Sequence, residues 1–304
     1  MKITNDYGLP QSFVNFARND NYSLPQSFVD FARNDKYSKG NADISVTSVI
    51  DSPRIRLMRD RHRDHMTSDV SDMIWPLFGT AVHHVLESAS SDDDVTIEER
   101  LFETVNDWVL SGAIDHQRTD GNAIRISDYK VTSVWSVIHG KVEWEYQLNC
   151  YAYLVEHAKK MPVKSLQVVA ILRDWNRREA GRRPDYPQAP VITIDVPLWP
   201  KAKRDRYVGD RVALHQEAQI AFDLGNELPE CSDEDRWKRG EAWAVKKKGN
   251  KRAQRVFDNE TSAHEFIGDQ TNLEIEHREG EYVRCNGNYC GVATFCSQYT
   301  GDQK

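Results

Sequence analysis

Hydrophobic and polar positions repeat along this chain with two periods, and the two periods mark out its elements. Residues 166–172 form a nearly continuous apolar run, which predicts a buried strand. Trp144, Leu148, Tyr151 and Val155 recur at helical spacing and predict a helix over 144–157. Residues 105–115 and 123–131 read as strands, and Asp120-Gly121 between them is a strong two-residue turn signal. A helix is predicted over 78–87, after Pro76, followed by a polar loop over 90–94. Residues 95–103 open with a capping pattern, Thr96-x-x-Glu99, and are expected to be helical. Further on, 191–196 reads as a strand and 202–224 as a long helix. The order helix, hairpin, helix, strand implies an α/β sandwich core.

A chain of 304 residues can bury a large core. Its formal net charge of −7 excludes a globally basic nucleic-acid coat, so any DNA contact must come from local patches. The start of the chain lacks a signal-peptide pattern, and no apolar run approaches the roughly 18 residues that span a bilayer. The expected location is therefore the cytoplasm, with no membrane partner. Five cysteines, an odd number, argue against a disulfide framework in that compartment, and four of them lie beyond residue 230.

Residues 9–23 recur almost unchanged at 24–38, differing only at Asn15/Asp30 and Asn21/Lys36. Two copies are too few for a solenoid, and a duplicated short amphipathic helix is the simpler reading. Arg54, Arg56, Arg59, Arg61 and Arg63 spread over more than one helical face, as either a solvated helix or a phosphate-contacting edge. Residues 173–190 are a basic, proline-containing excursion, and Lys246, Lys247, Lys248, Lys251, Arg252 and Arg255 form a second basic run.

The candidate chemistry sits on the hairpin. If Asp120-Gly121 closes it tightly, residue 115 lies opposite 126, and 126, 128 and 130 share a face. Asp115 and Asp128 are then diagonal neighbours roughly 7–8 Å apart at the backbone, able to hold one Mg²⁺ between them. Lys130 lands on the same face, placed to orient water and to offset charge on a phosphate. A bulge would break this parity. His83 and His84 follow Gly79 on the preceding helix, and one imidazole could add a ligand, more readily for Mn²⁺ than for Mg²⁺. Gln147 and Tyr151 share a helix face, where they could bind phosphate or hold the lysine. Glu99 and Glu103 are further candidates for supporting the site. Cys285, Cys290 and Cys296 form a compact thiol cluster to which Cys231 could add a fourth ligand, for an iron–sulfur cluster or a structural Zn²⁺. Cys150 reads as a packed thiol.

In order, Gly79-x-x-x-His83, Gly112-x-x-Asp115, Asp128-Tyr129-Lys130 and Gln147-x-x-x-Tyr151 resemble the motifs of the RecB-type branch of the PD-(D/E)xK nuclease superfamily. That branch includes the RecB and AddB nuclease domains, lambda exonuclease-like enzymes and CRISPR-associated RecB-like exonucleases. The resemblance covers residues 78–172. It implies a restriction-endonuclease-like core, with a central mixed sheet flanked by helices. It also implies His83, Asp115 and Asp128 as ligands of Mg²⁺ or Mn²⁺, and catalytic roles for Lys130 and, with it, Asp115, Asp128, Gln147 and Tyr151. Several such nucleases carry a 4Fe-4S cluster on three C-terminal cysteines and one that precedes the core; here Cys231, Cys285, Cys290 and Cys296 are the candidates, and Cys231 does not precede it. The expected organisation is a repeat segment (1–43), a nuclease core (44–200) and a cysteine-bearing helical region (201–304). The expected activity is a metal-dependent DNA exonuclease of recombination, repair or phage replication, in a bacterial or phage-infected cell. Its expected partners are single-stranded or free-ended DNA and a separate helicase or recombination protein, since no P-loop occurs in the chain. The rivals are a structure-specific endonuclease, a catalytically silent DNA-binding subunit, and a zinc-dependent adaptor.

Overall fold

A computed structural model describes residues 2–4, 40–69, 74–87 and 93–302; the tandem repeat lies outside the described residues. In chain order the elements are β1 (Ile44–Ser45), α1 (Val46–Val49), α2 (Pro53–His62), α3 (Ile74–Glu87), β2 (Val95–Val105), β3 (Trp108–Asp120) and β4 (Ala123–Thr132). There follow α4 (Val134–Ile138), α5 (Val142–Leu154), β5 (Val163–Leu172), β6 (Val191–Val196), α6 (Lys201–Asp223), β7 (Ala242–Lys247), β8 (Ala253–Phe257), α7 (Glu260–Ile267) and β9 (Leu273–Arg278). The chain divides into two compact units. The first is Met1–Asp51 with Arg63–Gly225, and the second is Ser52–His62 with Asn226–Lys304. Helix α6 belongs to the first unit, where it packs on α5 and closes the apolar core. Among the described residues no helix is long and apolar enough to cross a membrane.

The first unit is a mixed α/β arrangement around the sheet β1-β3-β4-β5-β6, with β2 on the outer edge of β3. β4 and β5 run parallel, whereas β2, β3 and β4 form an antiparallel meander. Burial in β5 alternates: Leu166, Val168, Ala170 and Leu172 are buried and the residues between them are partly exposed. The buried set meets Leu110, Ile114, Ile124 and Ile126 of the hairpin and Leu148 and Leu154 of α5 in one apolar cluster. Helix α5 approaches β3 so closely at Gly112 that a Cβ there would lie 2.8 Å from the Tyr151 ring and 2.9 Å from Leu154. That close approach is why a glycine stands three residues before Asp115.

Three sequence expectations change. Residues 95–105 are strand β2, not helix: Val95, Ile97, Thr104 and Val105 are β-branched, and Asn106-Asp107, both at positive φ (47° and 66°), make the hairpin turn to β3. The second hairpin turns at Gly121-Asn122, since Asp120 pairs with Ala123, and Gly121 takes the positive φ (63°) the turn requires. Its register is therefore shifted by two from the expected one, which preserves the parity of faces. Third, the cysteine-bearing region is not helical throughout. The second unit holds an antiparallel sheet, β8-β7-β9, with Val245 and Leu273 packed on Ala263 of α7. The basic run 246–255 becomes the β7–β8 hairpin, where Lys246 pairs with Glu274 and Glu276.

Replacing Gly112 by Ala should lower unfolding stability by about 1–3 kcal/mol, the usual penalty for an overpacked core. Gly79→Ala, where nothing lies within 4 Å of the new methyl, should be neutral or stabilising by up to about 1 kcal/mol. Urea unfolding of both variants checks this; an unaffected Gly112→Ala would contradict the packing account.

Candidate active site

The site is built where β3 and β4 part. Their ladder runs from Asp120↔Ala123 to His116↔Ser127 and stops; the next facing pair would be Asp115 and Asp128. From there β4 continues beside β5, with Asp128 against Val168 and Lys130 against Ala170. The freed backbone N–H of Tyr129 donates to Asp115 Oδ2 at 2.8 Å, so the carboxylate replaces the missing ladder acceptor. The buried positions of β3 change phase at this point, from Leu110, Gly112 and Ile114 to Asp115 and Gln117. Directly across, Glu98 of β2 has a left-handed backbone (φ 50°), and Glu98↔Asp115 is where the β2–β3 pairing lapses. A non-glycine residue in this region costs about 1–3 kcal/mol and marks a place where geometry is imposed.

The distortion brings three groups together. His83 Nδ1 lies 3.2 Å from Glu98 Oε1 and 3.6 Å from Asp115 Oδ2. His83, Glu98 and Asp115 each offer a ligand atom, all within 4.8 Å of one another, and are the one such group among the described residues. The hydrogen bond to Glu98 raises the His83 pKa, against the effect of burial. Burial, followed by the nearby Asp128 charge, pushes Asp115 up to about 7.

Asp128 is 1% exposed. Lys130 Nζ sits 2.7 Å from its Oδ2, but neither carboxylate oxygen has a hydrogen-bond partner, so the contact is an ion pair of poor hydrogen-bond direction. A buried carboxylate without hydrogen bonds needs a cation beyond what one side-on lysine gives. Two carboxylates, a neighbouring buried third and one imidazole form a hard donor set that fits Mg²⁺ or Mn²⁺. The expected ligand trio was His83, Asp115 and Asp128; the compact trio contains Glu98, with Asp128 beside it and engaged by Lys130.

Gln147 and Tyr151 are buried on α5 and bond each other, Nε2 to Oη at 2.8 Å, with Tyr151 against Gly112. Glu99 points elsewhere: Lys159 Nζ (2.6 Å) and Gln117 Nε2 (2.8 Å) both donate to its Oε2, tying the π-helical turn that follows α5 (Val155–Lys159) to β2 and β3. Glu103 lies close enough to Tyr153 to add to the burial that raises its phenol pKa. Neither is in the trio. The side chain of His84 is outside the described ones. The capping pattern at Thr96 and Glu99 predicts a helix and so hides Glu98; with Asn106-Asp107 as a turn, counting back sets Glu98 opposite Asp115.

In the second unit, Cys231, Cys285, Cys290 and Cys296 line one cavity with Arg54, Arg236 and Arg284 in its wall. Arg54 of α2 is buried, with Nε 3.4 Å from Cys296 Sγ and further bonds to Leu228 O (2.7 Å) and Ser297 Oγ (2.8 Å). It is neither a solvated nor a phosphate-facing arginine. Ser52 Oγ is 3.1 Å from Cys231 Sγ. Burial pushes the Cys231 thiol up to about 11 and raises Cys290. No three of these sulfurs lie within 4.8 Å of one another. Cys150 is fully buried in the first unit's core, its thiol pushed up to about 12.

No family model matches the chain. No curated protein matches it either. Among solved structures it is similar to the crystal structure of SSO0001, at 16% identity and a TM-score of 0.43, over 67% of this chain and 86% of that one.

A pH dependence follows from Asp115. A carboxyl whose folded pKa is raised stabilises the fold below its unfolded value, near 3.9, and loses that contribution as pH rises to about 7. Metal-free protein should lose thermal stability across this window, and Asp115→Asn should lose markedly less. Parallel melting-temperature profiles for the two proteins would contradict the buried, charge-crowded carboxyl.

Proposed function

We propose that the protein is a Mg²⁺- or Mn²⁺-dependent DNA nuclease of the PD-(D/E)xK superfamily, RecB-like branch, with a restriction-endonuclease-like core, acting from DNA ends in the cytoplasm of a bacterial or phage-infected cell. The observation that carries this reading is the parted hairpin. It holds Asp115 and Asp128 buried side by side, with Lys130 on one and the His83–Glu98 pair on the other. Action from ends, as opposed to structure-specific nicking, is inferred from the resemblance of the motifs.

His83, Glu98 and Asp115, with Asp128 adjacent, would hold the cation. When bound, it supplies a Lewis acid for the phosphate and lowers the pKa of water. Lys130 offers a positive charge at the edge of the site, to orient the attacking water and offset charge developing on the phosphate. Without the cation, Glu98 holds the His83 ring through Nδ1 and so keeps the imidazole facing Asp115. Tyr129 N–H fixes the Asp115 carboxylate. Gln147 and Tyr151 brace α5 on β3 behind the site.

The four thiols are read as ligands of a structural 4Fe-4S cluster. Three arginines in the cavity wall suit the net negative charge of a tetrathiolate metal group. Tetrahedral zinc, with Zn–S near 2.3 Å, draws its sulfurs to about 3.8 Å of one another, whereas no three of these thiols lie within 4.8 Å of one another. The four thiols would hold the group as thiolates, although burial raises the pKa of Cys231 and Cys290, and binding would add to folding stability.

With Mn²⁺ or Mg²⁺, linear DNA should be degraded while covalently closed circles persist, and chelator should stop the reaction. Asp115→Ala and Asp128→Ala should each reduce cleavage by at least about a thousandfold, and Lys130→Ala by about a hundredfold or more, with DNA binding retained. Near-normal activity in any of the three sinks the assignment; nicking of closed circles favours the endonuclease.

Anaerobically purified protein should be brown and contain iron and sulfide. Cys290→Ser should bleach it and lower its melting temperature, whereas Cys150→Ser should not. Stoichiometric zinc without iron would replace the cluster by a zinc site.

A further inference from the structure

We propose that Trp75 and Trp135, with the arginines of residues 173–183, form a base-stacking platform that selects single-stranded DNA for the site. This rests on the proposed nuclease function and names its substrate class. Two tryptophans of the first unit are about half exposed, Trp75 at 50% and Trp135 at 54%. Both belong to elements that border the metal-binding residues. Trp75 is on α3, the helix that carries His83. Trp135 is on α4, which begins four residues after Lys130.

One segment ties the two rings to that place. Leaving β5, Arg173 donates its backbone N–H to Thr132 O at the end of β4 (3.0 Å). Its guanidinium lies over the Trp75 ring, 4.1 Å from the centroid. The next residue, Asp174, accepts the Val134 N–H (2.7 Å) at the start of α4 and so fixes the helix that presents Trp135. Trp135 stacks on His139 (5.5 Å, interplanar angle 9°), and Arg183 stands 5.9 Å from its centroid. The segment is itself braced, Trp175 Nε1 to Pro187 O (2.8 Å) and Asn176 N–H to Tyr186 Oη (3.0 Å), so the platform is built rather than loose.

The chemistry around the rings points to one ligand. Arg173, Arg177, Arg178 and Arg182 are exposed, and among the described residues none has a carboxylate within ion-pair distance. In a chain of net charge −7, four such arginines beside two half-exposed indoles, each with one face already covered, are complementary to a polyanion that carries flat rings. Unpaired bases stack on aromatic side chains and guanidinium planes, whereas in a duplex those faces are already occupied.

The test is fluorescence anisotropy of an end-labelled single-stranded oligodeoxynucleotide and of its blunt duplex, bound by the full chain in chelator so that nothing is cleaved. The single strand should bind more tightly than the duplex. Trp75→Ala and Trp135→Ala should each weaken single-strand binding by about 5- to 150-fold and duplex binding by less than about twofold. Trp135→Phe should keep most of the affinity, which separates a missing stack from a damaged fold. Arg177→Gln with Arg178→Gln should flatten the salt dependence by about 0.7 for each phosphate that is no longer neutralised. Unchanged single-strand affinity in both tryptophan variants, or equal weakening for strand and duplex, overturns the platform. If those variants bind normally while wild type still degrades linear DNA, the platform fails and the nuclease reading stands. If binding behaves as expected but no divalent metal yields cleavage, the platform stands and the nuclease reading fails.

Discussion

The hydrogen bond from the Tyr129 backbone to the Asp115 carboxylate is the interaction on which the site depends. Without it, parting β3 from β4 would leave a buried N–H unpaired, at about 1–3 kcal/mol. With it, the hairpin can open just where two aspartates face each other, and β4 can pass to β5. Everything nearby accommodates that opening. Glu98 adopts a left-handed backbone across from Asp115, the burial phase of β3 slips by one residue, and Gly112 lets α5 press onto the strand from Tyr151 and Leu154.

The opening concentrates negative charge away from water. Asp115 answers by holding its proton up to about neutral pH, and Asp128 by drawing Lys130 to 2.7 Å. Both responses are stopgaps in energetic terms, because neither satisfies the buried Asp128 oxygens with hydrogen bonds. On the proposed function a divalent cation would relieve this crowding, and stability and metal affinity would then be two readings of one arrangement. The second unit has a related crowding: burial raises the Cys231 and Cys290 thiols, while Arg54 and Arg236 are buried in the wall of the same cavity.

Much of the core was legible from period and turn chemistry. The strands at 123–131, 166–172 and 191–196 and the helices at 144–157 and 202–224 lie where their patterns place them, within a few residues. The pairing of Asp115 with Asp128 survived a register error because the error was two residues, and side chains on a strand repeat every two. What failed did so for definable reasons. Thr96 and Glu99 mimic a helix cap, and that hid strand β2 and with it Glu98. A distortion such as φ 50° at Glu98 has no signature in residue type, since glutamate there is compelled by its surroundings. The sheet in the second unit was masked by the prominence of its cysteines. Arg54 looked like one of a solvated series, because burial by a segment 170 or more residues away leaves no local trace.

The central claim is that the parted hairpin is a divalent-metal site, and binding of Mn²⁺ without DNA tests it most directly. Electron paramagnetic resonance of Mn²⁺ titrated into metal-free protein should show bound ion in the wild type. That binding should weaken by about tenfold or more in Glu98→Gln and be abolished in Asp115→Asn. Equal Mn²⁺ binding by all three proteins would contradict the account.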